Sequence, residues 1–133
     1  MRDILFRGKR KDNGEWVEGY YAPISISEEH GPQMAIVTLT PNEYAYLGYG
    51  GSLASPSFYM VDPNTVGQYT GLLDMNGKKI FEGDIVRDNY GLKTGVRFFN
   101  GRYYPFIVYP EYNCWNENEC KIVGNIHDNP ELL

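Results

Sequence analysis

Residues 67–86, GQYTGLLDMNGKKIFEGDIV, set apolar runs on either side of Asn76-Gly77 and place a second turn at Glu82-Gly83-Asp84. Asn-Gly permits a tight reversal because the central residues of the favoured hairpin turns need positive φ, which Gly and Asn tolerate best. The stretch therefore reads as a strand, a reversal, and a strand that enters a small barrel. Asn-Gly recurs at 13–14 and at 100–101. The 12 Tyr, 6 Phe and 2 Trp favour strands. Fifteen Gly and 8 Pro, scattered through 133 residues, leave no long uninterrupted helical pattern. These features predict a mostly β chain of single-domain size.

Taken in order, residues 4–23 read as a hairpin around Asn13-Gly14. A two-residue loop sets Phe6 opposite Tyr21, Gly8 opposite Gly19 and Arg10 opposite Val17 on an inner face. Arg7 then faces Tyr20, Lys9 faces Glu18 and Lys11 faces Trp16 on a wet, charged face. Residues 27–34 read as a polar loop and 35–40 as a short strand stopped by Pro41. NEYAYLGYGGSLASPS has no trusted period and reads as a long loop, or as a segment that orders against a partner. A strand at 57–62 is closed by Pro63. The chain then turns near Asn89 to Gly91, with no particular φ forecast for Gly91. A hairpin at Asn100-Gly101 sets Phe98 opposite Tyr103 and Val96 opposite Pro105, which ends or edges its strand. Residues 110–119 read as a polar loop or a single helical turn, and CKIVGNI as the last strand.

Composition and motifs narrow the chemistry. A net charge of −5 argues against general binding of nucleic acid through many phosphate contacts. No run approaches the ~20 apolar residues of a membrane span, and the N-terminus lacks a secretory pattern, so a cytoplasmic protein without membrane contact is expected. Cys114 and Cys120 match neither redox nor zinc spacing and are expected as free thiols. Glu82, Asp84 and Asp88 fit a polar turn better than a metal site. His30 and His127 have no His partner at ligand spacing and are expected to be solvated. Gly48, Gly50 and Gly51 are in the wrong order for a phosphate loop. With no nucleophile, base and orienter together, no catalytic residue, cofactor or metal is expected and the chain is not read as an enzyme.

Arg2, Arg7, Lys9, Arg10 and Lys11 crowd the first eleven residues, interleaved across the hairpin with Trp16, Tyr20 and Tyr21. Cations beside aromatics on a β face can hold single-stranded nucleic acid, which makes Arg7, Lys9, Lys11, Trp16 and Tyr20 candidate contacts. The plainer reading is a solvated face whose charges pair locally. Aromatics between Tyr44 and Tyr59 sit among residues that cannot form a core alone. A neighbouring copy would cover them, with Tyr46, Tyr49 and Phe58 as candidate oligomer contacts.

Three blocks, RGKRKDNGEWVEGYY, VDPNTVGQYTGLLDMNGKKIFEGDIV and VGNIHDNPELL, resemble the YopX family of phage and prophage proteins; residues 27–60 add nothing to the match. The resemblance implies a mostly β fold with an SH3-like barrel in the C-terminal half, a phage or prophage origin, and no established activity or catalytic residues. The resulting expectation is an N-terminal β region over 1–66 with a long tyrosine- and glycine-rich loop and an SH3-like barrel over 67–133, the two forming one compact unit. Functionally, the expectation is a non-enzymatic, self-associating interaction protein with a phage or host protein partner. A nucleic-acid-binding accessory protein using the basic hairpin is the alternative.

Overall fold

The computed structural model describes residues 4–25, 31–47, 51–99, 101–106 and 119–133, with the backbone alone at 39–47, 51–56 and 99. The described chain is mostly β strand, with a 3-10 turn at Pro130–Leu132 near its C-terminus. It divides into two compact units, one of Leu5–Val66 and one of Gly67–Leu133 with the N-terminal residues through Ile4.

In the first unit, β1 (Phe6–Arg10), β2 (Trp16–Ser25), β3 (Pro32–Leu47) and β4 (Gly51–Leu73) pair in chain order, and β4 pairs back with β1. The result is a closed four-stranded barrel, which leaves no open edge around the ring. Ile36 and Val61 are fully buried inside it. Strands this few can close only if backbones approach closely, and two buried glycines provide that. A Cβ on Gly8 would meet Val61 Cβ at 3.0 Å, and one on Gly19 would lie 2.3 Å from the Val37 carbonyl oxygen.

The first hairpin differs from the expected register. Phe6 pairs with Gly19, Arg7 with Glu18, Gly8 with Val17 and Lys9 with Trp16. The reversal is longer than two residues: the Arg10 amide donates to Glu15 O, and the Gly14 amide, at φ 73°, donates to Arg10 O. Asn13 Oδ1 accepts the Glu15 amide inside the turn. Because the slip is two positions, each side chain keeps its predicted face. Phe6 and Tyr21 still meet diagonally, with ring centroids 5.7 Å apart.

A second difference lies in 41–56, expected as a long loop or as a segment that orders against a partner. β3 and β4 pair onward from Val37↔Phe58 through Pro41↔Ala54 to Leu47↔Gly51, with a register shift between Pro41 and Tyr46. Neither Pro41 nor Pro63 ends its strand. Proline is tolerated where a strand has a free edge, and β2 accompanies β3 only from Pro32 to Val37. Beyond that point the described β3–β4 ladder is a two-stranded arm.

In the second unit the end of β4 pairs with β5 (Lys79–Phe81), through Tyr69↔Phe81 and Leu73↔Lys79. The ladder is interrupted near Gly71, where the Thr70 hydroxyl donates to Ile80 O and accepts the Leu72 amide. Next come β6 (Asp84–Arg87), β7 (Lys93–Gly95), β8 (Arg97–Phe99), β9 (Arg102–Tyr104) and β10 (Lys121–Asn125). They form a three-stranded sheet, β10-β6-β7, and the β8–β9 hairpin. Ile80, Val86, Val96 and Cys120 make the buried cluster, with Leu72, Phe106 and Ile122 packed on it. Short antiparallel strands around one cluster are consistent with the SH3-like barrel that the family resemblance implies.

The predicted pairing of Phe98 with Tyr103 is observed, with Phe99 opposite Arg102, but the ladder stops at Arg97 and Tyr104: instead of facing Pro105 in it, Val96 accepts the Gly83 amide and donates its own to Asp84 O. At the central hairpin the dipeptide is displaced by one position. Its turn runs from Asp74 to Gly77, whose amide donates to Asp74 O, so Met75 and Asn76 are the central residues and Gly77, at φ 79°, follows them. This is a three-residue loop ending in a left-handed glycine. Gly91 has the same role at φ 84°.

Candidate interaction surfaces

The outward face of β1 and β2 brings together most of the predicted basic and aromatic residues. Arg7 Cζ lies 4.9 Å and Lys9 Nζ 5.8 Å from the centre of the Trp16 ring. Register places Glu18 directly opposite Arg7. The predicted pairing of Lys11 with Trp16 and of Lys9 with Glu18 is thus replaced by Lys9 with Trp16 and Arg7 with Glu18, because the turn is longer. Local cation–π and charge pairing of this kind engages the cations within the hairpin itself. Lys11 is exposed and donates its amide to Met60 O. Arg10 stands 4.4 Å over the Tyr59 ring and donates from Nε and Nη2 to the two carboxylate oxygens of Asp12. That hydrogen bonding holds the Asp12 carboxyl below the usual carboxylate range and raises Arg10.

Tyr20, predicted on this face, is 52% exposed and lies at the start of a row that crosses the sheet. Tyr20 pairs with Val37, and Val37 with Phe58, which is 51% exposed. An aromatic at each end of a β-branched residue makes a continuous apolar stripe on the barrel's exterior. Tyr46 is in β3, paired with Ser52 on the arm. Tyr49 lies outside the described residues, as do Cys114 and His30.

The second unit holds polar groups of structural purpose. Asp74 is buried, and its Oδ1 accepts the amides of Asn76 at 2.8 Å and Lys78 at 2.9 Å while Oδ2 accepts that of Ile122 at 3.1 Å. Burial alone would raise this carboxyl, but the three amides and the charge of Lys78 outweigh it and lower the group. Asp88 repeats the arrangement, its Oδ1 accepting the amides of Tyr90 and Leu92, both at 2.9 Å. Asp84 is buried, and its Oδ2 accepts the Phe81 amide at 2.7 Å, which closes the Glu82-Gly83 turn. Burial raises Glu82. Cys120 is a buried thiol outside any disulfide. His127 has intermediate exposure, in a turn after β10 where its amide donates to Asn125 Oδ1.

One feature escaped sequence reasoning. Lys121 pairs with Arg87, and Arg87 with Lys93, so a row of cations crosses β10, β6 and β7. The residues are far apart in the chain, and only strand register aligns them. Arg87 and Lys121 line a cleft of about 390 Å³ with Met75, Asp88, Asn89 and Glu119. Tyr90, at the tip of the β6–β7 hairpin, is 91% exposed.

A family model described as YopX protein matches residues 5–133. The crystal structure of protein EF1440 from Enterococcus faecalis is similar in fold, with a TM-score of 0.56 at 22% sequence identity, covering 100% of this chain and 99% of that one. No curated protein matches the sequence. Among the described residues no helix is long and apolar enough to cross a membrane.

Proposed function

This chain belongs to the YopX protein family, and on that premise we propose that it is a non-enzymatic interaction protein that associates with a second copy of itself through the β3–β4 arm. The observation that carries this reading is the ladder from Val37↔Phe58 to Leu47↔Gly51, two strands wide beyond the end of the β2–β3 pairing. A two-stranded ribbon is at best marginal in water, whereas four strands with an apolar face hold together. Two arms meeting edge to edge about a twofold axis supply those strands and cover their open edges. Sequence supports the same occupant: Tyr44, Tyr46, Leu47 and Leu53 lie on the arm, and Phe58 is exposed at its root. A phage or prophage setting belongs to this proposal through the resemblance, and a cytoplasmic location in the bacterial host and a further phage or host partner are proposed with it.

Light scattering coupled to size-exclusion chromatography tests it. The intact chain is expected to run as an oligomer at tens of micromolar, and deletion of residues 44–55 to reduce it to monomer. A monomeric intact chain overturns the proposal, and an oligomer indifferent to the deletion overturns the arm as its interface. The basic hairpin is the weaker surface, because Arg7 and Lys9 are already set against Trp16.

A further inference from the structure

We infer that the second unit carries a binding surface for single-stranded nucleic acid, built from the cation row Lys121–Arg87–Lys93 and the exposed ring of Tyr90. In antiparallel sheets directly opposed residues sit about 4.5–5.5 Å apart at Cα, and like charges placed there repel. This sheet places three in succession. Among the described residues, no carboxylate lies within ion-pair distance of any of them. Asp88 borders the row, but its Oδ1 is bound to two amides of its own loop. Among the described residues, Glu119 remains as a less committed carboxylate on the cleft wall. Such a row is relieved by an anion from outside the chain, and a phosphate backbone offers repeated anions to match it.

The aromatic component favours nucleic acid over an acidic peptide. Tyr90 belongs to the loop that joins Arg87 to Lys93, and its amide is fixed by Asp88, so a nearly bare ring is held a few residues from paired cations. Single-strand binders combine a cationic track with rings on which bases stack. On the other side of the row, Lys93 shares a hollow of about 380 Å³ with Arg97 and Tyr104, where Arg97 Cζ lies 5.0 Å from the Tyr104 ring centre. The cationic and aromatic groups thus extend past both ends of β7. The overall negative charge of the chain does not oppose this, because screening limits exposed charges to about a Debye length, ~8 Å at physiological ionic strength.

The test is fluorescence anisotropy of the full chain with labelled oligothymidylate about 20 nucleotides long, a length that exceeds the ~4–16 nucleotide sites of single-strand binding folds. The variant K121Q/R87Q/K93Q is expected to bind at least about tenfold more weakly and to flatten the slope of log affinity against log salt by about 2, at roughly 0.7 per phosphate contact. Tyr90→Ala is expected to weaken binding about 5- to 150-fold with the slope retained, consistent with the loss of one stacked base. Thermal unfolding provides the folding control: removing opposed like charges should leave the triple variant at least as stable as the parent. No binding by the parent at low salt, equal affinity in the triple variant, or displacement by oligoglutamate as effective as by unlabelled oligothymidylate overturns the inference. The last outcome would instead assign the row to acidic peptides.

Discussion

Asp74 Oδ2 accepts the backbone amide of Ile122 across 48 positions of sequence, tying the central hairpin turn to the last strand. The same carboxylate closes its own turn through the amides of Asn76 and Lys78, and the Met75 amide donates to Cys120 O beside it. One buried side chain therefore serves both a local reversal and a distant strand.

Asp74→Asn replaces one of two accepting oxygens with a donor, so either Ile122 or the turn loses its acceptor. Leaving a buried amide unsatisfied costs about 1–3 kcal/mol, and urea midpoints should shift accordingly. The folded carboxyl is lowered, so its contribution is complete above the unfolded value near 4 and disappears as pH falls through the folded value. Between pH 7 and about 3 the parent should lose more stability than the Asn variant; parallel curves would deny Asp74 this role.

Glu82 behaves with the opposite sign. Burial raises its folded value, so the charged form is disfavoured in the native protein and the penalty applies above that value. Glu82→Gln should raise the denaturation midpoint at pH 7. The gain should vanish as pH falls and the parent carboxyl protonates, which a thermal series from pH 7 to about 4 would record.

The left-handed glycines of the turns give a third expectation. Gly77, Gly91 and Gly101 have φ of 79°, 84° and 77°, with open space where a Cβ would go. Substitution by Val should cost about 1–3 kcal/mol at each through backbone strain. Gly95→Ala is the control, since its Cβ would make an ordinary 3.4 Å contact with Ile126 Cγ2 without positive φ. Equal midpoints for the three Val variants and the parent would exclude these turn conformations.

Close approach gives the fourth. A Cβ on Gly67 would fall 2.2 Å from Glu82 O, and one on Gly19 2.3 Å from Val37 O. Both obstacles are backbone, so Gly67→Ala and Gly19→Ala should each be more damaging than any of the turn substitutions. Ellipticity and yield measured alongside the Val series would check the order.

Legibility followed the range of the interaction that decides each feature. The Asn100-Gly101 register was readable because a two-residue loop leaves no freedom in which residues face each other. At Asn13-Gly14 and Asn76-Gly77 the dipeptide marked the reversal, but side chains of Asn13 and Asp74 bond within the turn and lengthen it. An Asp three residues before Gly, as in Asp74 to Gly77 and Asp88 to Gly91, is the signal that reveals the longer form. Residues 41–56 were obscure because their prolines and glycines argue locally for a loop, while ladder pairing with a long partner strand overrides that preference. The cation row could not be seen at all: Lys121, Arg87 and Lys93 become neighbours only once β10 and β7 have chosen their registers on β6.

The burial of Cys120 against Ile80, Val86 and Val96 turns the second unit into its own chemical clock. A thiol with almost no exposure reacts with an alkylating reagent only during the moments when its surroundings part. With Cys114 replaced by Ser, the slow modification of Cys120 would time those openings in native buffer, without denaturant and without a probe added to the chain.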